Sequence, residues 1–299
     1  MVYRKKAEQY GDSTQLLFLR ARYYNPAVGR FQSRDTWSGN VNRPLSLNRW
    51  MYTEGNPINN SDPSGLITEK QASKADLIIE KMKAYGIYVY KDWGYSVIPH
   101  YYSLPRDIQN KYPMGCNWIE GNWNNVKELQ LTFDAVKIMA QKLGGIGGFK
   151  AIYRNKPIEI VRLKEKKNTA GLAPYPPFNN IFGDVLLYDG SFRSHYSQER
   201  TMGYVVHELA HVWDSRYRYE ISLEYADHMN VYTKLCDGCA KLWIPDYYPS
   251  YFPTEYSKTN EIEYWAESIT VYVFPSLANL NTLTSLSETF IRKKINNTP

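Results

Sequence analysis

The sequence predicts an α+β fold: a helix-rich domain with a small mixed sheet, preceded by a short β-rich segment. Three observations carry this. Apolar residues recur at helical spacing over 199–216 and 260–274. Short aliphatic runs at 157–163 and 183–189 read as strands. Residues 1–66 are instead broken by turn signals such as Gly55-Asn56-Pro57 and Asp62-Pro63-Ser64-Gly65. The texture changes near residue 67, which divides the chain into segments 1–66 and 67–299.

The elements follow in order. Leu16 to Tyr24 reads as one strand, Asn25-Pro26 and Val28-Gly29 as turns, and Arg30 to Ser33 as a short return strand. Lys70 to Tyr85 has helical spacing through Ala75, Leu77, Ile78, Met82 and Ala84, and Gly86 stops it. Residues 87–102 alternate as a strand pair would. Val126 to Leu143 is a helix ended by Gly144-Gly145. Pro157 to Leu163 is a strand, 164–171 a charged turn, and 183–189 a strand able to pair extended substrate along its edge. Glu199 to Arg216 is a helix with Met202, Val205, Val206, Leu209, Val212 and Trp213 on its apolar side. A Pro- and Tyr-rich loop over 243–256 leads to the helix Asn260 to Phe274.

Composition narrows the function. Hydrophobic residues make up 43% of the chain, enough for a buried core. A net charge of +6 without a dense basic arm argues against a nucleic-acid partner. The three cysteines, Cys116, Cys236 and Cys239, are too few for a disulfide scaffold. Cys236 and Cys239 read as thiols in a tight turn rather than as half of a structural zinc site, which needs four ligands. No apolar run reaches the length of a membrane span, and the first residues lack the apolar stretch of a signal peptide.

The chemistry lies in His207-Glu208-Leu209-Ala210-His211. On a helix, positions i and i+4 share a face, so both imidazoles reach one ion. Glu208 stands one step round, able to touch a metal-bound water without taking a ligand place. Such a site needs a third protein ligand. Candidates are Asp214, Glu220, Glu224, Asp227, His228, Glu261, Glu263 and Glu267. Asp214 is better placed to hold an imidazole N–H than to bind metal. Glu263 and Glu267 lie four apart on a largely apolar helix, where carboxylates are expensive to bury without a cation, and this favours that helix.

His207 to Asp214 resembles the zinc helix of zincins, and Tyr256 to Glu267 resembles the second zinc segment of peptidases of the anthrax lethal factor type. Tyr256, Glu263, Ala266 and Glu267 fall on that pattern's fixed positions. The resemblance implies a zincin-like domain binding Zn²⁺ through His207, His211 and Glu263. It also implies Glu208 as base, Tyr256 facing the open coordination position and Glu267 orienting a ligand.

Leu19 to Asp35, Arg43 to Pro57 and Asp62-Pro63-Ser64-Gly65-Leu66 resemble the end of an RHS-repeat core, with Asn25 where that family usually has Asp. The resemblance implies a β-shell around a toxic C-terminal domain. It further implies an aspartyl self-cleavage site, with Asp35 and Asp62 as the carboxylate pair, Arg22 in support and the cut after Leu66. Together the two resemblances imply a secreted or delivered effector that hydrolyses a peptide bond in a target-cell protein, with an immunity protein in the producer. Two rivals stand beside this expectation. One is a non-enzymatic effector with a closed metal site that adds His228. The other is a different toxin chemistry, such as a nuclease or transferase.

Overall fold

The computed structural model of the chain describes residues 15–19, 22–35, 44–57, 62, 65, 69–89, 96–97, 106, 120–121, 123, 125–163, 170–174, 183–234, 241–245 and 249–297. Cys116, Cys236, Cys239 and Leu66 lie outside these residues.

The fold is α+β. Near the N-terminus, β1 (Leu17–Leu19), β2 (Arg22–Asn25) and β3 (Arg30–Phe31) form an antiparallel meander. The run expected as one strand from Leu16 to Tyr24 therefore folds back on itself, with Leu19 opposite Arg22. The reversal buries Leu19 and Arg22 together, which a continuous strand would not do.

A second sheet organises the larger part of the molecule. Helix α1 (Glu69–Lys83) leads through Gly86, at φ +77°, into β4 (Ile87–Val89). The expected strand pair over 87–102 does not form. Instead β4 runs parallel to Ile158–Arg162, while β5 (Ser96–Val97) pairs with β6 (Glu120–Gly121). Helix α2 (Val126–Lys142) is capped by Asn125, whose side chain accepts the Glu128 N–H. The Gly144-Gly145 stop holds, but a further helix, α3 (Gly145–Ile152), starts at once.

Strands β7 (Ile158–Arg162), β8 (Gly171–Leu172) and β9 (Val185–Leu187) complete a sheet of order β4-β7-β9-β8. Strand β9 is paired on both sides, parallel to β7 and antiparallel to β8, so it has no edge to offer a substrate. Among the described residues, the outer strands of this sheet are β4 and the two-residue β8.

Helix α4 (Gln198–Arg216) packs beneath this sheet, with Val205, Val206 and Leu209 fully buried. Helix α5 (Glu220–His228) and the hairpin β10 (Tyr232–Lys234) and β11 (Lys241–Trp243) follow. Helix α6 (Glu261–Val273) then lies against α4, where Trp213 and Trp265 meet edge to face with centroids 5.1 Å apart. A last helix, α7 (Ser285–Asn296), inserts Phe290 against Tyr225 and Trp265.

Candidate metal centre

The packing of α4 on α6 brings the predicted ligands together. His207 and His211 occupy one face of α4, and their Nε2 atoms are 3.0 Å apart. Oε2 of Glu263 lies 3.1 Å from His207 Nε2 and 3.3 Å from His211 Nε2. Glu263 sits in the first turn of α6, where Asn260 accepts its backbone N–H at 2.9 Å. The carboxylate thus stands at the electropositive end of a helix.

These three atoms have the geometry of a ligand set. Glu263 Oε2 is buried and makes no hydrogen bond, although both imidazoles lie within 3.3 Å. The atoms face a shared point rather than one another. A tetrahedral zinc with bonds near 2.0–2.1 Å has ligand-to-ligand edges of about 3.3 Å, close to the spacings found. Among the described residues, this is the only group of three or more His, Cys, Asp or Glu side chains spaced to share an ion.

The surrounding groups hold the triad. His207 Nδ1 lies 2.8 Å from Glu267 Oε1, and Thr254 Oγ1 donates to Glu267 Oε2 at 2.6 Å. Glu267 therefore stands against the far side of the His207 ring from Glu263. Asp214 does not hold an imidazole as expected. Its fully buried Oδ1 accepts the N–H groups of Ile221 and Ser222, both at 3.1 Å, and so caps the first turn of α5. Asp214 reaches His211 only through charge, because the chain folds back into α5 directly after α4. His228 lies apart, exposed and stacked on Phe290 at 5.1 Å, so a fourth ligand from His228 is not formed.

Electrostatics suit a cation. Burial opposes a charge on His207, but Glu263 and Glu267 outweigh it and raise the imidazole to about 10. Burial likewise works against an ionised Glu263, yet the two imidazoles hold it well below the usual carboxylate range. Burial raises Glu208, partly offset by the two imidazoles and by the Ala173 N–H that its carboxylate accepts. Glu208 is wedged against β8, since a Cβ on Gly171 would lie 2.5 Å from its Oε1.

His207 of the triad borders a cleft of about 540 Å³. His207, Glu208, Tyr256 and Glu267 line it, with Thr254 and Gly171. The Tyr256 ring stands 5.9 Å from that of His207, and burial with the nearby carboxylates pushes its phenol up to about 12. Arg193, Tyr196, Arg200 and Tyr204 form the remaining wall. Sequence reasoning missed Thr254, Gly171 and this wall. Arg200 and Tyr204 had a signal, because they precede His207 by seven and three residues on the same helix.

A second polar cluster lies in the N-terminal meander. Arg22 is buried, with NH2 2.9 Å from Asp35 Oδ2 and 3.8 Å from Asp62 Oδ2. Both aspartates are buried, and the Arg22 guanidinium also donates to the carbonyl of Gly65 and sits 3.6 Å over the Phe31 ring. Arg22 thus lies between Asp35 and Asp62, the two aspartates singled out from sequence.

These features define a mixed α+β chain in which His207, His211 and Glu263 are spaced to hold a metal ion beside a cleft. Curated relatives share a part of the chain: the tRNA nuclease WapA of Bacillus subtilis strain 168, and the tRNA3(Ser)-specific nuclease WapA of Bacillus spizizenii. Each is 41% identical over 63 residues, spanning 21% of this chain and 3% of the relative. No family model matches, and no solved structure matches.

These names overturn the expected peptidase chemistry, the expected protein substrate and the exclusion of nucleic acid. The physical reasons are plain. A metal-activated water can attack phosphorus as well as carbon, so the HExxH spacing does not specify the bond. Net charge is also a poor guide when two arginines stand locally in one cleft. Among the described residues, no helix is long and apolar enough to cross a membrane.

Proposed function

We propose that this chain is the effector end of an RHS-type toxin, delivered to a target cell, and that its cleft hydrolyses phosphodiester bonds of RNA with the help of Zn²⁺. The convergence of His207, His211 and Glu263 beside Glu208 carries the reading. The names of the relatives support the substrate class, and the zincin resemblance of α4 and α6 supports the metal. Segments 1–66 and 67–299 are then the end of the RHS core and the toxic domain.

When bound, zinc supplies Lewis acidity and brings the pKa of a water to about 7. Glu208, buried beside the two imidazoles, would stand as the proton acceptor for a water held there. The Tyr256 phenol, still protonated at neutral pH, donates to the oxygen that gains charge. Glu267 and Thr254 keep the His207 ring from turning.

The test compares the wild-type chain with Glu208→Gln on labelled tRNA, with zinc added or chelated. The expected result is zinc-dependent cutting by the wild type. Glu208→Gln should bind zinc and keep its circular dichroism spectrum, yet leave the RNA whole. Intact RNA after incubation with zinc-loaded wild type would overturn the proposal.

The Arg22 cluster favours a second activity. We propose that Asp35 and Asp62 act as an acid–base pair on the bond after Leu66, since two carboxylates sharing one site separate their pKa values. Asp62→Asn should leave the chain uncut on a denaturing gel; cleavage at the wild-type rate would refute the assignment.

A further inference from the structure

Helix α4 carries more than the His207 imidazole into the cleft. Arg200, Tyr204, His207 and His211 recur at intervals of four, three and four, so they share one face. Arg200 and Tyr204 line the same cleft as His207 and Tyr256. Seven residues of helix separate Arg200 from His207 by about 10 Å.

The side chains here form a built arrangement. The Arg200 backbone N–H is held by Ser197 Oγ at 3.1 Å in the first turn of α4. Its Nε donates to the Tyr204 hydroxyl at 3.2 Å. The guanidinium stands 5.2 Å over the Tyr196 ring and 5.8 Å from the Tyr204 ring, and those rings are 5.7 Å apart. Among the described residues, its side-chain hydrogen-bond partner is a phenol and not a carboxylate. The result is an exposed cation fixed between aromatic faces at one end of the cleft.

We propose that Tyr196, Arg200 and Tyr204 form a nucleotide subsite for single-stranded RNA running along α4 toward the metal centre. The guanidinium takes a phosphate, as a planar donor suited to phosphate oxygens. The tyrosine faces stack the adjoining base, which every base allows. This rests on the RNA reading of the cleft. A purely acidic peptide is the less fitting occupant, since it engages the charge and leaves the rings unused.

The experiment measures binding of a fluorescein-labelled single-stranded RNA to the zinc-loaded full chain in the Glu208→Gln background, which prevents turnover. A polyglutamate peptide is the second probe. Arg200→Gln and Tyr204→Leu alter a surface residue and a partly buried one, and the melting temperature of each is recorded alongside. Arg200→Gln should weaken RNA binding about fivefold or more and lower the salt slope by about 0.7 between about 50 and 200 mM salt. Tyr204→Leu should weaken binding about fivefold with an unchanged slope. Arg200→Lys should recover the slope.

Unchanged RNA affinity in both variants overturns the subsite, as does polyglutamate binding as tightly as RNA and losing as much in Arg200→Gln. The two readings separate cleanly. Zinc-dependent cutting of RNA by the wild type, with binding indifferent to Arg200, removes the subsite alone. RNA held through Arg200 and Tyr204 but never cut removes the hydrolytic reading and leaves the subsite.

Discussion

Gly171 and Glu208 touch across the boundary between β8 and α4, and this contact sets where the base stands. A Cβ at 171 would meet Glu208 Oε1 at 2.5 Å, and Glu208 is buried, so its carboxylate has little room to retreat. Gly171→Ala is therefore expected to displace the base while sparing the ligands. Turnover should fall about tenfold or more, the loss of a well-placed base, while zinc content stays at the wild-type level. Reduced zinc content in that variant would show that the contact serves the metal instead. A second prediction concerns His207, whose imidazole holds its proton up to about pH 10 in the metal-free protein. Zinc needs the neutral ring, so proton and metal compete. Affinity should rise with pH by about tenfold per unit from pH 7 to 9, with one proton released from this ring per ion bound. Competition titrations against a chromophoric chelator at several pH values measure this, and a flat profile would contradict it.

Helices α4 and α6 were legible in the sequence because each combines strong periodicity with a cap. Ser197 and Asn260 both accept an N–H in the first turn of the helix they open. The two imidazoles were legible from spacing on one helix, while burial cost pointed only to the helix of Glu263 and Glu267 and the family resemblance singled out Glu263. Helix α3 was hidden by Gly145, Gly147 and Gly148, which lower helix propensity and yet allow close packing at Leu143. The pairing of β4 with β7 escaped notice because parallel contacts depend on partners far along the chain, and the reversal between β1 and β2 because no Gly, Pro, Asn or Asp in Leu19-Arg20-Ala21-Arg22 marks a turn. Asp214 shows the same limit at one residue, since its partners lie on a helix that spacing alone did not reveal. The Asn260 cap yields a prediction at this scale. Asn260→Ala should cost about 1 kcal/mol and free the first turn of α6, on which Glu263 rides. Zinc affinity should drop alongside stability in denaturant titrations, while affinity unchanged at lower stability would separate the cap from the ligand.

Across the whole molecule, the cluster of His207, His211 and Glu263 spans two helices that are otherwise held by apolar contacts. The Trp213 and Trp265 rings, with Tyr225 and Phe290 behind them, already pack α4, α5, α6 and α7 around one core. The triad adds ligands from α4 and α6 only, so a bound ion ties the two together and favours the folded chain by mass action. Zinc at a hundred times its dissociation constant contributes about 2.7 kcal/mol. Stability of that size should raise the melting temperature by about 5–10 °C. The effect should vanish in Glu263→Ala, which removes the only ligand from α6, and after chelation of the wild type. The Trp core predicts the converse: chelated protein should still melt cooperatively, because packing rather than metal forms the fold. Calorimetry on both forms decides between these contributions. A wild type that melts at one temperature with and without zinc would mean that α4 and α6 share no ion, and broad, non-cooperative melting after chelation would mean that the ion, not the aromatic core, organises the helices.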